Sequence, residues 1–411
     1  MSTPELVRRS RIDWSRLGEP TAVGVYGILF GCVAFWLTLP PLKTTTLVWP
    51  ILAGILAVAC GIWAVAREAK RVGYGAAVAG LLGIALGVAA THSSRGNLST
   101  AVVWSALIGS MFVYATPLTY AAIGGLWSER SGVVNIGLEG MMLMGCFFGI
   151  WGADKTGSWI LGLLIAMGAG GLLALVYAFF AIQLRSNQIV GGTAINFLAL
   201  GITGYLFIDV YGDNGTPDLS TGHWLHGQSI PDVAFSQSSG FLATAFGDLN
   251  LMVWVSFLVV ILTYIVVFRT PLGLRLRSVG EHPRAADTVG ISVFKTRYAA
   301  VTFSGMLSAM GGAYLSIGFV HSFNQNMTEG RGFIALAALI FGKWRPGGAF
   351  AACLLFGFSS ALAQRLGTIP NWASYAVLFQ ALPYVLTLIA VAGVIGRSVP
   401  PAADGQPYAK Q

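Results

Sequence analysis

The chain has 411 residues, of which 55% are hydrophobic and only 10% charged, with a mean hydropathy of +0.72. A soluble domain carries about 25% charged residues, so this composition fits lipid rather than water as the solvent. The formal net charge of +8 does not point to nucleic acid, because the basic residues stand between apolar runs and no recognition motif accompanies them.

The N-terminal stretch MSTPELVRRSRIDWSRLGEP is polar and basic. The apolar run after it, 23–40, has no small-residue cleavage site, so it is expected to be a retained helix with a cytoplasmic N-terminus. Further apolar runs lie near 47–66, 75–91, 101–123, 136–152, 158–183, 189–209, 251–268, 298–319, 332–341, 348–366 and 375–396. At roughly 20 residues per span these make about ten to twelve transmembrane helices. The expected fold is an all-α polytopic membrane protein that includes broken or half-length segments.

Lys and Arg assign the sides. Arg8, Arg9, Arg11, Arg16, Arg67, Lys70, Arg71, Arg185, the 269–297 loop, Lys343, Arg345 and Arg397 fall on one side. Only isolated charges such as Lys43, Arg95 and Lys155 fall on the other. The long 210–250 segment is almost free of positive charge, which places both termini in the cytoplasm. FIALAALIFG, 333–342, is too short to cross alone and reads as a half-helix or part of a broken span, tolerated where protein or water lines it.

Ser304, Ser308, Gly312 and Ser316 recur every fourth residue and put a narrow stripe on the 298–319 helix. Gly83 with Gly87 and Gly145 with Gly149 are further small-residue pairs of the kind that lets helices approach closely. Pro117, between Thr116 and Thr119, removes a backbone donor inside the 101–123 span. Cys32, Cys60, Cys146 and Cys353 each sit inside an apolar run without a C-x-x-C pair, so neither a disulfide framework nor a zinc site is expected. His223 and His226, in HWLH, have no nearby cysteine to complete a ligand set. FGKWRPGG is no phosphate cradle, since Trp344 stands where the hydroxyl residue belongs. No cofactor, metal site or catalytic constellation is expected.

Two polar clusters adjoin membrane-depth sequence. GLWSERSGVVNIGLEGMMLMG, 125–145, brings Glu129, Arg130, Asn135 and Glu139 to the start of a span, and a carboxylate there should face a partner or water. NQNMTEGRGF carries Asn324, Asn326, Glu329 and Arg331 before the short run. Both share a Gly-flanked charge leading into small and apolar residues, a pattern expected of broken helices beside one pathway. Each reads either as lining a transport path or as holding broken helices together.

RTPLGLRLRSVGEHPRAADTVGISVFKTR, 269–297, concentrates charge, proline and glycine. Pro283 suits the first turn of a helix, Glu281 lies beside its positive end, and Gly290 can supply a left-handed stop. RAADTV makes under two turns, too short to be stable alone. Ala285, Ala286 and Val289 form a small apolar patch, with Arg275, Arg277, Arg284, Lys295 and Arg297 expected to hold the loop at the cytoplasmic face. The residues alone leave two readings open: a docking surface or a solvated, positive-inside loop.

SERSGVVNIGLEGMMLMG, SNQIVGGTAINFLALG, TPLGLRLRSVGEHPRAADTVGI and GRGFIALAALIFGKWRPGGA together resemble the permease subunit of bacterial ABC importers of the branched-chain amino acid and simple-sugar type. VNIGLEG is most similar to the nucleoside-uptake branch. The resemblance covers 101–397. It implies an ABC importer permease core there, with 1–100 as an extension of about three helices and 398–411 as a cytoplasmic tail.

The resemblance further implies that Gly280, Glu281, His282, Pro283, Arg284, Ala285, Ala286, Asp287, Val289, Gly290 and Ile291 form the segment contacting a cytoplasmic ATPase. ATP hydrolysis then lies on that separate subunit, and charge at Ala286 is expected to uncouple it. The implied partners are a second related permease in a heterodimer, an extracytoplasmic substrate-binding lipoprotein and a nucleoside substrate. The implied location is the bacterial inner membrane. The candidate pathway residues are Asn135, Glu139, Asn187, Asn196, Asn326, Glu329 and Arg331. The rivals are a sugar or amino-acid substrate and an ion-coupled secondary transporter using Glu139.

Overall fold

The computed structural model describes residues 20–37, 48–92, 104–212, 215–217, 230–234, 246–367, 380–381, 383 and 399–409. Apart from 380–381 and 383, the predicted span 375–396 lies outside the described residues, as do the pair His223 and His226 and the surroundings of Gly87. The chain divides into two compact units, Met1–Trp104 and Ser105–Gln411.

The first unit holds α1 (Pro20–Trp36), α2 (Val48–Ala66) and α3 (Lys70–His92), packed pairwise on one another. Glycine sets their approach. A Cβ on Gly31 would meet the Ala79 backbone at 2.5 Å, one on Gly61 the Ala77 nitrogen at 2.7 Å, and one on Gly83 the Gly31 carbonyl at 2.4 Å. Trp49, Ile62 and Leu81 point outward, exposed. Small residues inside and bulky ones outside is the arrangement expected where lipid is as apolar as leucine.

The second unit runs through α4 (Trp104–Arg130), α5 (Leu138–Thr156), α6 (Trp159–Ala178), α7 (Gln188–Tyr211), α8 (Leu251–Arg269), α9 (Pro271–Glu281), α10 (Pro283–Thr288), α11 (Val293–Ala313), α12 (Arg331–Phe341) and α13 (Pro346–Gly367). α6 and α11 end in wider i→i+5 turns, Phe179–Gln183 and Tyr314–Val320. Among the described residues the fold is the expected all-α one, with a short antiparallel ribbon, β1 (Asp232–Ala234) with β2 (Asp248–Asn250), pairing Asp232 with Asn250 between α7 and α8. Seven helices among the described residues, counting α2, are long and apolar enough to cross a bilayer.

The small-residue stripe of α11 is buried at the centre of this unit. A Cβ on Gly312 would lie 1.9 Å from the Met142 carbonyl of α5, and one on Gly145 2.1 Å from the Ala309 carbonyl. Pro117 stands inside α4. The Val113 carbonyl, four residues before it, cannot accept the usual i→i+4 bond from proline and receives the Tyr314 hydroxyl at a long 3.4 Å.

Candidate translocation pathway and coupling surface

α12 has 11 residues, a rise of about 16 Å and so about half a hydrocarbon core. Its first amides therefore need acceptors within the membrane. Glu139 supplies them: Oε1 accepts from Gly330 N at 2.8 Å and Oε2 from Gly332 N at 2.6 Å. Glu139 is buried, 8% exposed, and its carboxylate faces the positive end of the half-helix. A Cβ on Gly332 would meet the Glu139 backbone nitrogen at 2.5 Å, so glycine is what lets the two broken ends touch. Both carboxylate oxygens are engaged, which leaves Glu139 ill placed as an ion relay.

The turn before α12 is wound left-handed, with Asn326 at φ 57°, Glu329 at 46° and Gly330 at 82°. It presents Arg331, whose Nη1 donates to the carbonyls of Met327 at 2.8 Å and Thr328 at 3.2 Å. Glu329 lies 3.7 Å from the same nitrogen. These two charges border a cavity of about 340 Å³ between α4, α12 and α13, lined also by Tyr114, Leu118, Ile334, Ser360, Ala363, Gln364, Gln380 and Pro383. Tyr114 is braced edge-on by Phe319, with centroids 5.2 Å apart.

Of the seven candidate pathway residues, only Glu329 and Arg331 line this cavity. Asn135 is fully buried and donates from Nδ2 to Ser304 Oγ at 3.0 Å, pinning the segment before α5 to α11. Asn196 accepts from Gly140 N at 2.8 Å and donates to the Ile136 carbonyl at 3.0 Å, holding the start of α5. Asn187 caps α7 by accepting from Ile189 and Val190. Asn326 is exposed in the turn. Asn187 and Asn196 thus satisfy helix starts and Asn135 ties the segment before α5 to α11, so none of these three borders this cavity.

The 269–297 loop holds more structure than one short helix. Thr270 caps α9, accepting from Gly273 N at 3.3 Å, with Pro271 at the first helical position. α10 starts at Pro283, and Gly290 takes φ 85° beyond its end. Val289 is 73% exposed, and Ala285, His282 and Arg284 are exposed as well. Ala286 corrects the expectation. It is 3% exposed and packs inside the chain with Val279, Val293 and Tyr408, because the helical turn that turns Ala285 outward turns its neighbour in. Arg297 is also no surface cation: α11 begins four residues before it, leaving it 1% exposed. A groove of about 510 Å³ runs beside α10, bordered by His282, Arg284, Ala285, Pro407 and Tyr408 among others.

A further cluster joins the ends of α4 and α12. Trp344 Nε1 donates to Glu129 Oε2, while the Trp344 carbonyl accepts from Arg130 Nε at 3.0 Å and Nη2 at 2.7 Å. Arg130 and Arg277 both lie over the Phe268 ring, at 5.4 and 5.2 Å. Sequence reading missed this node. Its signal was a Glu-Arg pair at one span end and a tryptophan between two cations at another.

The apolar spans, together with a half-helix too short to cross alone whose first amides Glu139 caps, make this a multi-pass membrane protein. The chain belongs to the family described as the permease component of the branched-chain amino acid transport system, which matches residues 107–391. It is therefore a multi-pass ABC permease subunit, not itself an enzyme.

The chain is 40% identical over 316 residues to the guanosine ABC transporter permease protein NupQ of Bacillus subtilis (strain 168), covering 75% of this chain and 98% of that relative. It is 39% identical over 320 residues to the nucleoside ABC transporter permease protein NupC of Lactococcus lactis subsp. cremoris (strain MG1363), covering 74% and 96%. It is 25% identical over 337 residues to the guanosine ABC transporter permease protein NupP of Bacillus subtilis (strain 168), covering 78% and 94%. No solved structure matches the chain.

Proposed function

We propose that the chain is one of two permeases in a nucleoside importer. The observation that carries this reading is its similarity to nucleoside and guanosine permeases across nearly their whole length. The cavity supports it: its volume, about 340 Å³, falls at the small-ligand end of the usual pocket range. An aromatic ring, two amides and a hydroxyl on its wall can meet a base and a ribose. NupP and NupQ are two related permeases of one organism, which supports a second, sister subunit completing the pathway.

α10 with its flanks, 280–291, is the surface for a cytoplasmic ATPase, and an extracytoplasmic binding lipoprotein delivers substrate. The membrane is the bacterial inner membrane, with both chain ends in the cytoplasm. ATP-driven closure of the ATPases pushes on α10 and rocks the helices joined to it. Different contacts with the two ATPase states bias the access equilibrium.

The test is uptake of labelled guanosine, glucose and leucine by cells with the gene deleted and restored. Guanosine uptake should vanish and return with the gene. Loss of glucose or leucine uptake instead would overturn the substrate assignment.

A further inference from the structure

We propose that residues 399–409 form a strap that fixes α10 against the membrane core, with Tyr408 as its positioning residue. The proposal rests on the reading of α10 as the ATPase-facing element. α10 has six residues and cannot hold its own shape, since helices this short lack the bonds to offset nucleation. Its one inward side chain, Ala286, is enclosed by Val279, Val293 and Tyr408. Two of these come from the helices on either side of it, and the third comes from the strap. The Tyr408 ring is itself set by Phe294, edge-on with centroids 5.6 Å apart.

The strap is tied at both ends of its reach. Ala403 N donates to the Gly280 carbonyl at 2.9 Å, and Ala402 N to Glu281 Oε2 at 3.1 Å, just before α10 begins. On the other side, buried Arg297 donates from Nη1 to the Gln406 carbonyl at 3.1 Å and from Nε to the Ser131 carbonyl at 3.2 Å. Ser131 follows directly on α4. Gly280 lies so close to that helix end that a Cβ would meet the Arg130 carbonyl at 2.2 Å.

One guanidinium therefore joins the strap to the helix whose other half carries Tyr114 into the cavity. A planar, fixed donor fork suits this bridge better than a flexible ammonium would. Without the strap, α10 keeps only its covalent neighbours, and a push on it bends the loop instead of moving α4.

The test uses the assembled transporter in liposomes, reading guanosine imported against ATP hydrolysed. Tyr408→Ala should lower uptake roughly tenfold, a size usual for coupling between sites, while hydrolysis persists. Tyr408→Phe, which keeps the ring, should retain uptake. Wild-type coupling in Tyr408→Ala would overturn the strap.

Val289→Asp is the separate arm for the exposed face of α10. If it uncouples while Tyr408→Ala does not, the strap alone fails. If neither uncouples, the ATPase-facing reading of α10 fails. Should Tyr408→Ala not assemble with its partners, hydrogen exchange on the full chain in nanodiscs decides. The strap requires faster exchange at 283–291 with α12 unchanged, and unaltered exchange there overturns it.

Discussion

In the first unit every buried residue among those described is glycine, alanine or proline. In the second, the buried set includes Glu129, Asn135, Glu139, Gln188 and Arg297, along with many hydroxyls. Both units are built from apolar helices, yet among the described residues only the second buries polar side chains. Such groups are costly to bury unless each finds a partner. Their placement in the second unit follows its interrupted helices: Glu139 serves the start of α12, Asn196 the start of α5, and Arg297 the turn after α4. Three uninterrupted helices leave no such ends to satisfy. The first unit needs only close packing, whereas the second keeps broken backbone at membrane depth, which is where transport proteins carry out their work.

The sharpest way to break this comparison is to overfill the second unit and to remove the first. Gly312→Val forces a side chain into the Met142 carbonyl, where no flexible atom can yield. Overpacking of this kind costs about 3 kcal/mol or more, so thermal stability in detergent and uptake should both collapse. Removal of residues 1–100, by contrast, should leave uptake intact. A transporter that stops without those residues would show that the apolar unit does more than pack.

Next in size is Glu139→Ala, which strips two charge-assisted bonds from the head of α12. The expected loss is about 3 kcal/mol, read as a lower unfolding midpoint and absent uptake. Glu139→Gln keeps one acceptor and should fall between. If Glu139→Gln transports normally but loses dependence on a proton gradient, the capping role is wrong and the ion-coupled rival returns. Smaller again is Arg331→Ala, which removes a cavity wall charge without touching the caps. It should raise the KM for uptake about tenfold, in line with one lost charged contact, with a smaller loss of stability than Glu139→Ala, since its bonds to the Met327 and Thr328 carbonyls also go. An unchanged KM would exclude the cavity from the pathway.

The described spans are legible because apolar length is a direct signal in lipid: their helices follow the predicted runs to within about five residues, except α4, which runs on to Arg130. The α11 stripe and the ends of α10 were legible too, since Ser304, Gly312, Pro283 and Gly290 each act through local geometry. α9 was written in the sequence as Thr270 followed by Pro271, a cap and a first-turn proline, but its charge drew attention to the loop instead. What the sequence hides is pairing across distance. Nothing local says that Glu139 meets Gly330, that Trp344 meets Glu129 or that Tyr408 closes over Ala286, because these partners are separated by more than a hundred residues. The roles of Asn187 and Asn196 are hidden for the same reason: a polar side chain in a span reads identically whether it faces a cavity or caps a neighbour.

The smallest effect expected is a pH dependence at the strap. Asp404 is partly enclosed there, and burial pushes its carboxyl from 3.8 up to about 7, with the Gly405 backbone N–H and Arg297 pulling it back only in part. Because the docked form has the higher pKa, it binds the proton more tightly than the undocked form. The stabilisation this gives docking is complete below 3.8 and fades as pH rises through about 7. The strap of the full chain in nanodiscs should therefore become more open to protease nicking at 399–409 above pH 7 than below it. Asp404→Asn, neutral throughout, should erase that difference while leaving the low-pH protection in place. A pH dependence that survives in Asp404→Asn would assign it to another group, and no dependence in the wild type would mean that the carboxyl stays ionised beside Arg297 and helps the strap hold.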